Sequence, residues 1–382
     1  MFLRINRRAF QKPANYWLAC ASELLRPALA GFARSLQTGP PTPPASWRRG
    51  LLVGATHIGD CLHLTASLPA LRAGLPDCEW FCAAPPPASE VLETNPHLSG
   101  CLRLDLVAEP FARARAELAA AGPFDVAIAY NNIRAWPDLL RLARLGIPNR
   151  VGYVHKGFSG LVTHPVELRH PQPFPFYFRD LVSQLTGRPV AAPIRPQVFP
   201  TDADRQAAAV VWERLALASG PPVVMVFCTS RQASGVWPLE QFAQTLKLLG
   251  QAGRHRIVLG GSAADRAALE RARELAGLDC AVVAGELTVR ALVCFLERCA
   301  GVLAPDTGTR HLANAAGVPV VFLRNLYVNR VESGAYCPTE WDVAPSVEFV
   351  PPAQQARWFA EIQPAAVVEA LVRATNTSGP AR

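Results

Sequence analysis

Lysine is nearly missing from this 382-residue chain: of 38 basic residues only Lys12, Lys156 and Lys247 are not arginine. That skew reads as a compositional bias of a GC-rich genome, because a selected basic surface would mix both types. No apolar run approaches the roughly 20 residues that cross a bilayer, which excludes a transmembrane helix. The ten cysteines contain no CxxC pair, which argues against a zinc site and leaves reduced thiols serving as small hydrophobes in a cytoplasmic protein. No GxGxxG is present, and GGSAAD (260–265) is too short to replace it, so a nicotinamide or flavin enzyme is disfavoured.

The formal charge of +8 suggests an acidic partner until it is located. Residues 1–49 hold eight basic side chains against the single acid Glu23, which accounts for +7 and leaves the rest of the chain close to neutral. Nucleic-acid binding by the body of the protein is thereby excluded, since it requires a basic stripe on the folded domain. The arm interleaves arginines with Phe2, Leu3, Ile5, Phe10, Tyr16, Trp17, Leu18, Leu24, Leu25 and Phe32. That pattern suits an amphipathic segment, residues 1–34, lying on an anionic membrane face; a helix packed on the domain or a disordered arm are the alternatives. It lacks the uninterrupted apolar core of a signal peptide. GPPTPPAS (39–46) reads as a stiff linker.

Beyond the arm, short apolar runs alternate with helix-length amphipathic stretches. Strands are expected at 50–55, 78–84, 101–105, 124–130 and 150–154, with helices at 62–74, 86–94, 109–121 and 135–145. The second half repeats the scheme, with strands at 222–228, 256–261, 280–285, 301–306 and 318–323 and helices at 238–252, 263–276, 288–298 and 309–316. Continuous apolar strands alternating with helices mean parallel sheets covered on both faces. The class is α/β: an N-terminal Rossmann-like domain over 50–190, a second over 191–350 and a C-terminal helix and tail over 351–382. The proline-rich stretch 164–200 reads as a linker with a short helix at 175–186. Ligands are expected in a cleft at the carboxyl ends of both sheets.

Three loops carry chemistry. In LAPDTGTRHLANAAGVPVVFL (303–323), Asp306 is expected to cap a helix whose first N–H groups, Thr307 to Arg310, would bind a diphosphate. Gly308 and Thr309 belong to that turn, and Arg310 and His311 would extend its positive field; ordinary helix capping is the plain alternative. In VFCTSRQASGVWPLEQF (226–242), Thr229, Ser230 and Arg231 suit phosphate oxygens, against a plain loop with a structural tryptophan. In GATHIGDCLHLTASLPALRAGLPD (54–77), Asp60 stands at the mouth of the first helix and is either a general base for an incoming hydroxyl or a helix cap. His57 and His63 nearby do not make a metal site by themselves.

In this order the pieces resemble glycosyltransferase family 9, the ADP-heptose:lipopolysaccharide heptosyltransferases of GT-B fold. The resemblance rests on IGD with LPALR and P-D (58–77), VLETNPHLSGCLRLD (91–105), FDVAIAYNN (124–132), RVGY (150–153), the WP pair, LGGSAAD and DTGTRHLANAAGVPVV. It implies inverting, metal-independent and cofactor-free transfer of a heptose-like sugar from a nucleotide donor, ADP-linked, to lipopolysaccharide or a related cell-surface glycan. The family's proposed base falls on Asp60 and its D-T/S-G-x-x-H donor motif on Asp306, Thr307, Gly308 and His311. The implied setting is the cytoplasm, peripheral on the inner face of the bacterial inner membrane. Three features depart from the family: Gly235 stands where a lysine often precedes the WP pair, RNLYVNRVESGAY (324–336) replaces a glycine-proline-threonine loop, and the N-terminal arm is extra. A GT-B-fold nucleotide-sugar epimerase or hydrolase, or a non-catalytic nucleotide- or glycan-binding relative, would share the fold with different chemistry.

Overall fold

Two six-stranded parallel sheets form from the apolar runs, each with the same winding. The computed structural model describes residues 13–36, 39–130, 136–168, 171–191, 194–230, 237–324, 330–345, 347, 350 and 354–377. Backbone contacts divide the chain into Met1–His170 with Pro175–Ala192, and Pro171–Phe174 with Pro193–Arg382.

The first unit begins with helices α1 (Pro13–Leu24) and α2 (Arg26–Leu36). It continues through β1 (Arg49–Val53), α3 (Ile58–Thr65), α4 (Leu68–Gly74), β2 (Glu79–Ala83), β3 (Gly100–Leu102), α5 (Phe111–Ala121) and β4 (Val126–Ala129). Then follow α6 (Trp136–Arg144), β5 (Asn149–Tyr153), β6 (His164–Val166) and α7 (Phe174–Thr186). The strand order is β3-β2-β1-β4-β5-β6. β1 and β4 are neighbours, with Val53 opposite Ala129. Leu51, Val53, Ala127 and Ala129 face a core closed by α5 and α6 through Ala114, Leu118, Leu139 and Leu142. Strands buried on both faces explain why Gly50–Val53 of β1 and all of β4 are apolar without alternation.

The second unit runs α8 (Asp202–Arg214), β7 (Val223–Val226), α9 (Leu239–Ala252), β8 (Arg256–Gly261), α10 (Arg266–Ala276), β9 (Ala281–Ala284) and α11 (Val289–Leu296). It ends with β10 (Gly301–Pro305), α12 (Gly308–Ala316), β11 (Val320–Leu323), β12 (Glu340–Val343), α13 (Gln355–Phe359) and α14 (Pro364–Thr377). Its order, β12-β11-β10-β7-β8-β9, is the same winding, since β7 takes the place of β1 and β10 that of β4. In each unit the chain reverses direction across the sheet between the first and fourth strands. Such a switch point is where open α/β sheets bind ligands, beyond the carboxyl ends of those strands.

The structure alters several expected elements. The helix expected at 62–74 is two, beginning at Ile58 and broken between Thr65 and Leu68, with Pro69 opening the second. Proline suits a helix's first turn and not its interior, so the break lies there. The segment expected as a helix at 86–94 is a short 3-10 turn over Ala88–Val91. The strand expected at 101–105 pairs only from Gly100 to Leu102. The stretch 164–200 is not purely linker: His164–Val166 adds an edge strand to β5. α8 and β12 were not expected.

A carboxylate fixes the start of α8. Asp204 accepts from the backbone N–H and hydroxyl of its cap residue Thr201, at 2.9 and 2.7 Å, and from Arg290 Nε at 2.9 Å. Burial alone would raise its pKa; the Thr201 and Arg290 bonds outweigh that and hold it at about 2. The folded value lies below the ordinary 3.8, so the stabilisation is present above pH ~4 and lost as pH falls toward 2. A tenfold change in proton affinity is worth roughly 1.36 kcal/mol, so Asp204→Asn should cost about 2 kcal/mol at pH 7 and little at pH ~2. Urea unfolding across that range measures it; an equal loss at both pH values would contradict the assignment.

Candidate active site

In the second unit the loops after β7 and β10 emerge from adjacent strands, Val226 opposite Leu303. Thr229 and Asp306 each stand three residues beyond that pair, so both loops flank the switch point. Thr229 and Ser230 are partly exposed; Arg231 and Gly235 lie outside the described residues. Trp237 is a packing residue: buried, it donates from Nε1 to the Phe359 carbonyl at 2.9 Å and meets Phe242 edge-on. It ties the start of α9 to α13.

The β10–α12 turn differs from its expected form. Thr307 is the N-cap, not Asp306, and its side chain makes no capping bond. Its hydroxyl instead meets Thr309 Oγ1 at 2.9 Å. The Thr307 N–H goes to Pro305 O at 2.8 Å and the Arg310 N–H to Thr307 O at 3.1 Å. Among the described residues, the N–H groups at the head of α12 without a partner are therefore those of Gly308 and Thr309, where four would be expected. A nine-residue helix with two free donors and the positive end of its dipole at the turn suits an anion.

Arg310 does not extend that field. Its side chain is 2% exposed and bonded throughout: Nε to Glu340 at 2.6 Å, Nη1 to Asp306 at 2.7 Å and Ser333 O at 2.9 Å, Nη2 to Gly334 O at 2.7 Å. The guanidinium lies 3.5 Å from the centre of the Phe322 ring. Burial by itself would lower its pKa, but Asp306 and Glu340 overcome that and hold it charged. The i, i+4 spacing of Asp306 and Arg310 is an intrahelical ion-pair spacing, yet here it reaches from turn to helix and spends Asp306 on structure.

Glu340, at the start of β12, is the residue that sequence reasoning missed. Its Oε1 accepts from Arg310 and, at 2.7 Å, from Asn314 Nδ2. Its Oε2 accepts from the N–H groups of Tyr336 and Cys337 at 2.6 and 3.0 Å. The buried His311 shares a 2.7 Å hydrogen bond between Nδ1 and Tyr336 Oη, and burial raises the pKa of that phenol well above its usual range. His311 is thus anchored to the 330s segment, tightening the turn from the far side of α12. Next along β11, the buried Arg324 meets Asp342 at 3.2 Å; burial raises the Asp342 carboxyl and Arg324 opposes it.

In the first unit Asp60 is the third residue of α3, inside the helix and not at its mouth. Its Oδ2 accepts from the His57 N–H at 3.3 Å and lies 3.2 Å from His57 Nδ1, closing a capping box. The capping role is realised, and His57 gains a function: its ring, 61% exposed, fixes one edge of the carboxylate. Asp60 itself stays 37% exposed, with Oδ1 making no hydrogen bond among the described residues. One oxygen pinned and one open is a geometry that also suits a base. His63 is buried on α3, away from that role. Among the described residues no group of three or more His, Cys, Asp or Glu is arranged to hold a metal ion.

Removing Arg310 would leave Asp306 and Glu340 as buried carboxylates without their shared cation. Arg310→Met should lower urea stability by roughly 3–5 kcal/mol, and Glu340→Met added to it should restore part of the loss. A loss below about 1 kcal/mol would mean that the pair carries little of the turn's stability.

The sequence model of Glycosyltransferase family 9 (heptosyltransferase) matches residues 139–326. No curated protein matches the chain. Among solved structures, a family 9 glycosyl transferase from Veillonella parvula superposes with a TM-score of 0.74 at 18% identity, over 88% of this chain and 99% of that one. The ADP-heptose lipopolysaccharide heptosyltransferase II of E. coli gives 0.67 at 18%, over 86% and 99%. E. coli heptosyltransferase WaaC, solved with ADP, gives 0.64 at 15%, over 85% and 99%. These likenesses establish the fold, as two doubly wound parallel sheets of GT-B type. With the family pattern across residues 139–326 added, the protein is a glycosyltransferase resembling family 9, the heptosyltransferases.

Proposed function

We propose that the protein moves a heptose-like sugar from an ADP-linked donor to lipopolysaccharide or a related lipid-linked cell-surface glycan, with inversion and without a metal. The observation that carries this is the turn after β10. It offers the open N–H groups of Gly308 and Thr309 at the head of α12, on a backbone locked from beneath by Arg310. Donors fixed before the reaction stabilise charge that develops during it without reorganising. Support for ADP comes from WaaC, a structural neighbour solved with that nucleotide.

In this reading an acceptor hydroxyl oxygen attacks the anomeric carbon as the bond from that carbon to the diphosphate oxygen breaks. The hydroxyl proton passes to Asp60 Oδ1, and the electron pair leaves on the diphosphate. Gly308, Thr309 and the dipole of α12 take up the negative charge, with Thr229, Ser230 and Arg231 binding phosphate oxygens from the neighbouring loop. Asp306 and His311 act indirectly, by holding the turn. His57 holds Asp60 so that its open oxygen faces the acceptor. The setting is the cytoplasmic face of the inner membrane, where such an acceptor is built.

Asp60→Asn keeps the side chain's size and can still accept from the His57 N–H. Transfer should fall by about 10²–10⁴-fold, the usual worth of a general base, while ADP binding is unchanged. Transfer within tenfold of the parent would remove Asp60 from the mechanism. ADP at a hundredfold over its Kd should add about 2.7 kcal/mol of stability, and UDP, GDP or CMP at the same concentration should add less. Incubating the donor without acceptor should release little ADP; rapid release would point to a hydrolase.

A further inference from the structure

The surface of the described residues carries nine large hydrophobic side chains in the open, and six of them lie on α1, α2 and the bend between: Trp17, Leu18, Leu24, Leu25, Phe32 and Leu36. We infer that this two-helix segment is an interfacial membrane anchor, docked on the first unit by one face and presenting the other to an anionic phospholipid surface. The inference rests on the proposed lipid-linked acceptor for its purpose, but not for its evidence.

The segment is seated in a prepared place. Ser22 Oγ accepts from the Phe158 N–H at 2.8 Å, and Glu23 accepts from the N–H and hydroxyl of Ser159 at 2.8 and 2.6 Å. A Cβ on Gly157 would stand 2.7 Å from the Ala19 carbonyl, and one on Gly160 would stand 2.6 Å from that of Arg26. Those glycines let the helices approach, and Gly157 also has a φ of +84°. Ala19, Ser22 and Ala33 are buried at helical spacing, and Ala33 joins the core of the unit. Helix hydrogen bonding continues from Ala21 to Leu25 and from Leu25 to Leu29, so the pair is one helix bent beside Pro27. Leu24 and Leu25, at the bend, are 72% and 59% exposed.

Charge selects the occupant. Glu23, the one acid in residues 1–49, is turned into the first unit, so the outward face carries no carboxylate. Arg26 and Arg34 are exposed on it, and Arg4, Arg7, Arg8 and Lys12 precede it in the chain. A tryptophan, a phenylalanine and leucines set among arginines without an acid match the boundary between headgroups and acyl chains of an anionic leaflet. No helix among the described residues is long and apolar enough to cross a bilayer, and with apolar and basic side chains mixed along it the segment suits a position on the surface of one.

The test uses the full chain, sedimented with vesicles of phosphatidylethanolamine and phosphatidylglycerol or of phosphatidylcholine, without donor or acceptor. Binding should favour the anionic vesicles and weaken as salt rises. The triple variant Trp17→Ser, Leu24→Ser, Phe32→Ser should bind at least about tenfold more weakly, because three interfacial side chains are removed. Its thermal midpoint and ADP binding should match the parent, since all three side chains are exposed. Arg26→Glu with Arg34→Glu should weaken binding to anionic vesicles only. Equal binding of parent and triple variant, or no binding by the parent, would overturn the inference. So would a concentration-dependent dimer dispersed by the triple variant, which would assign the face to a second copy. Because vesicle binding is read without turnover, it can succeed or fail independently of the proposed transfer reaction.

Discussion

A buried guanidinium must find its bonds within the protein, and Arg310 makes four. Asp306, Glu340 and the carbonyls of Ser333 and Gly334 surround it, and the Phe322 ring covers one face. Through those contacts one side chain joins the end of β10, the first turn of α12, the 330s segment and β12. Glu340 spreads the constraint further by accepting from Asn314 and from the N–H groups of Tyr336 and Cys337. A charged network of this kind is a poor source of net stability, because desolvation consumes most of the Coulombic gain. Its value is geometric: the backbone from Pro305 to Thr309 is held in one conformation, with two N–H groups left open.

The same winding in both units explains why the candidate site residues sit where they do. A strand order that reverses between the first and fourth strands leaves the loops after those strands facing open space, with no crossover helix between them. Thr229, Ser230 and the Asp306–Thr309 turn occupy that place in the second unit. In the first, the loop after β1 leads to His57 and Asp60. Each unit thus supplies a polar turn beyond an apolar sheet, one suited to an anion and the other carrying a half-exposed carboxylate.

Much of this was legible in the sequence, for physical reasons. Strands buried on both faces must be apolar throughout, so nine of the ten expected strands reappear within a few residues of their predicted limits, and 101–105 survives as a shorter strand. Edge strands escape that rule: His164–Val166 and Glu340–Val343 are short or polar and left no apolar run to read. The DTGTRH turn was recognisable as the start of a helix, but the division of labour within it was not. Asp306 resembles a cap until Arg310, one helical turn on, is seen to need a buried partner. Glu340 lies 30 residues beyond Arg310 in sequence, in a segment without periodicity, and only folding brings it under the turn. The arm, too, was readable as basic and amphipathic, but not the glycines at 157 and 160 that receive it.

The open N–H groups of Gly308 and Thr309 are proposed to hold the donor's diphosphate, and amide hydrogen exchange tests that role residue by residue. Saturating ADP should slow exchange at Gly308 and Thr309, while adenosine, which lacks the diphosphate, should leave both rates unchanged. The N–H of Thr307, already bonded to Pro305, serves as the internal control. If ADP binds and the two amides exchange as fast as in the free protein, the diphosphate lies elsewhere and these two N–H groups do not hold it.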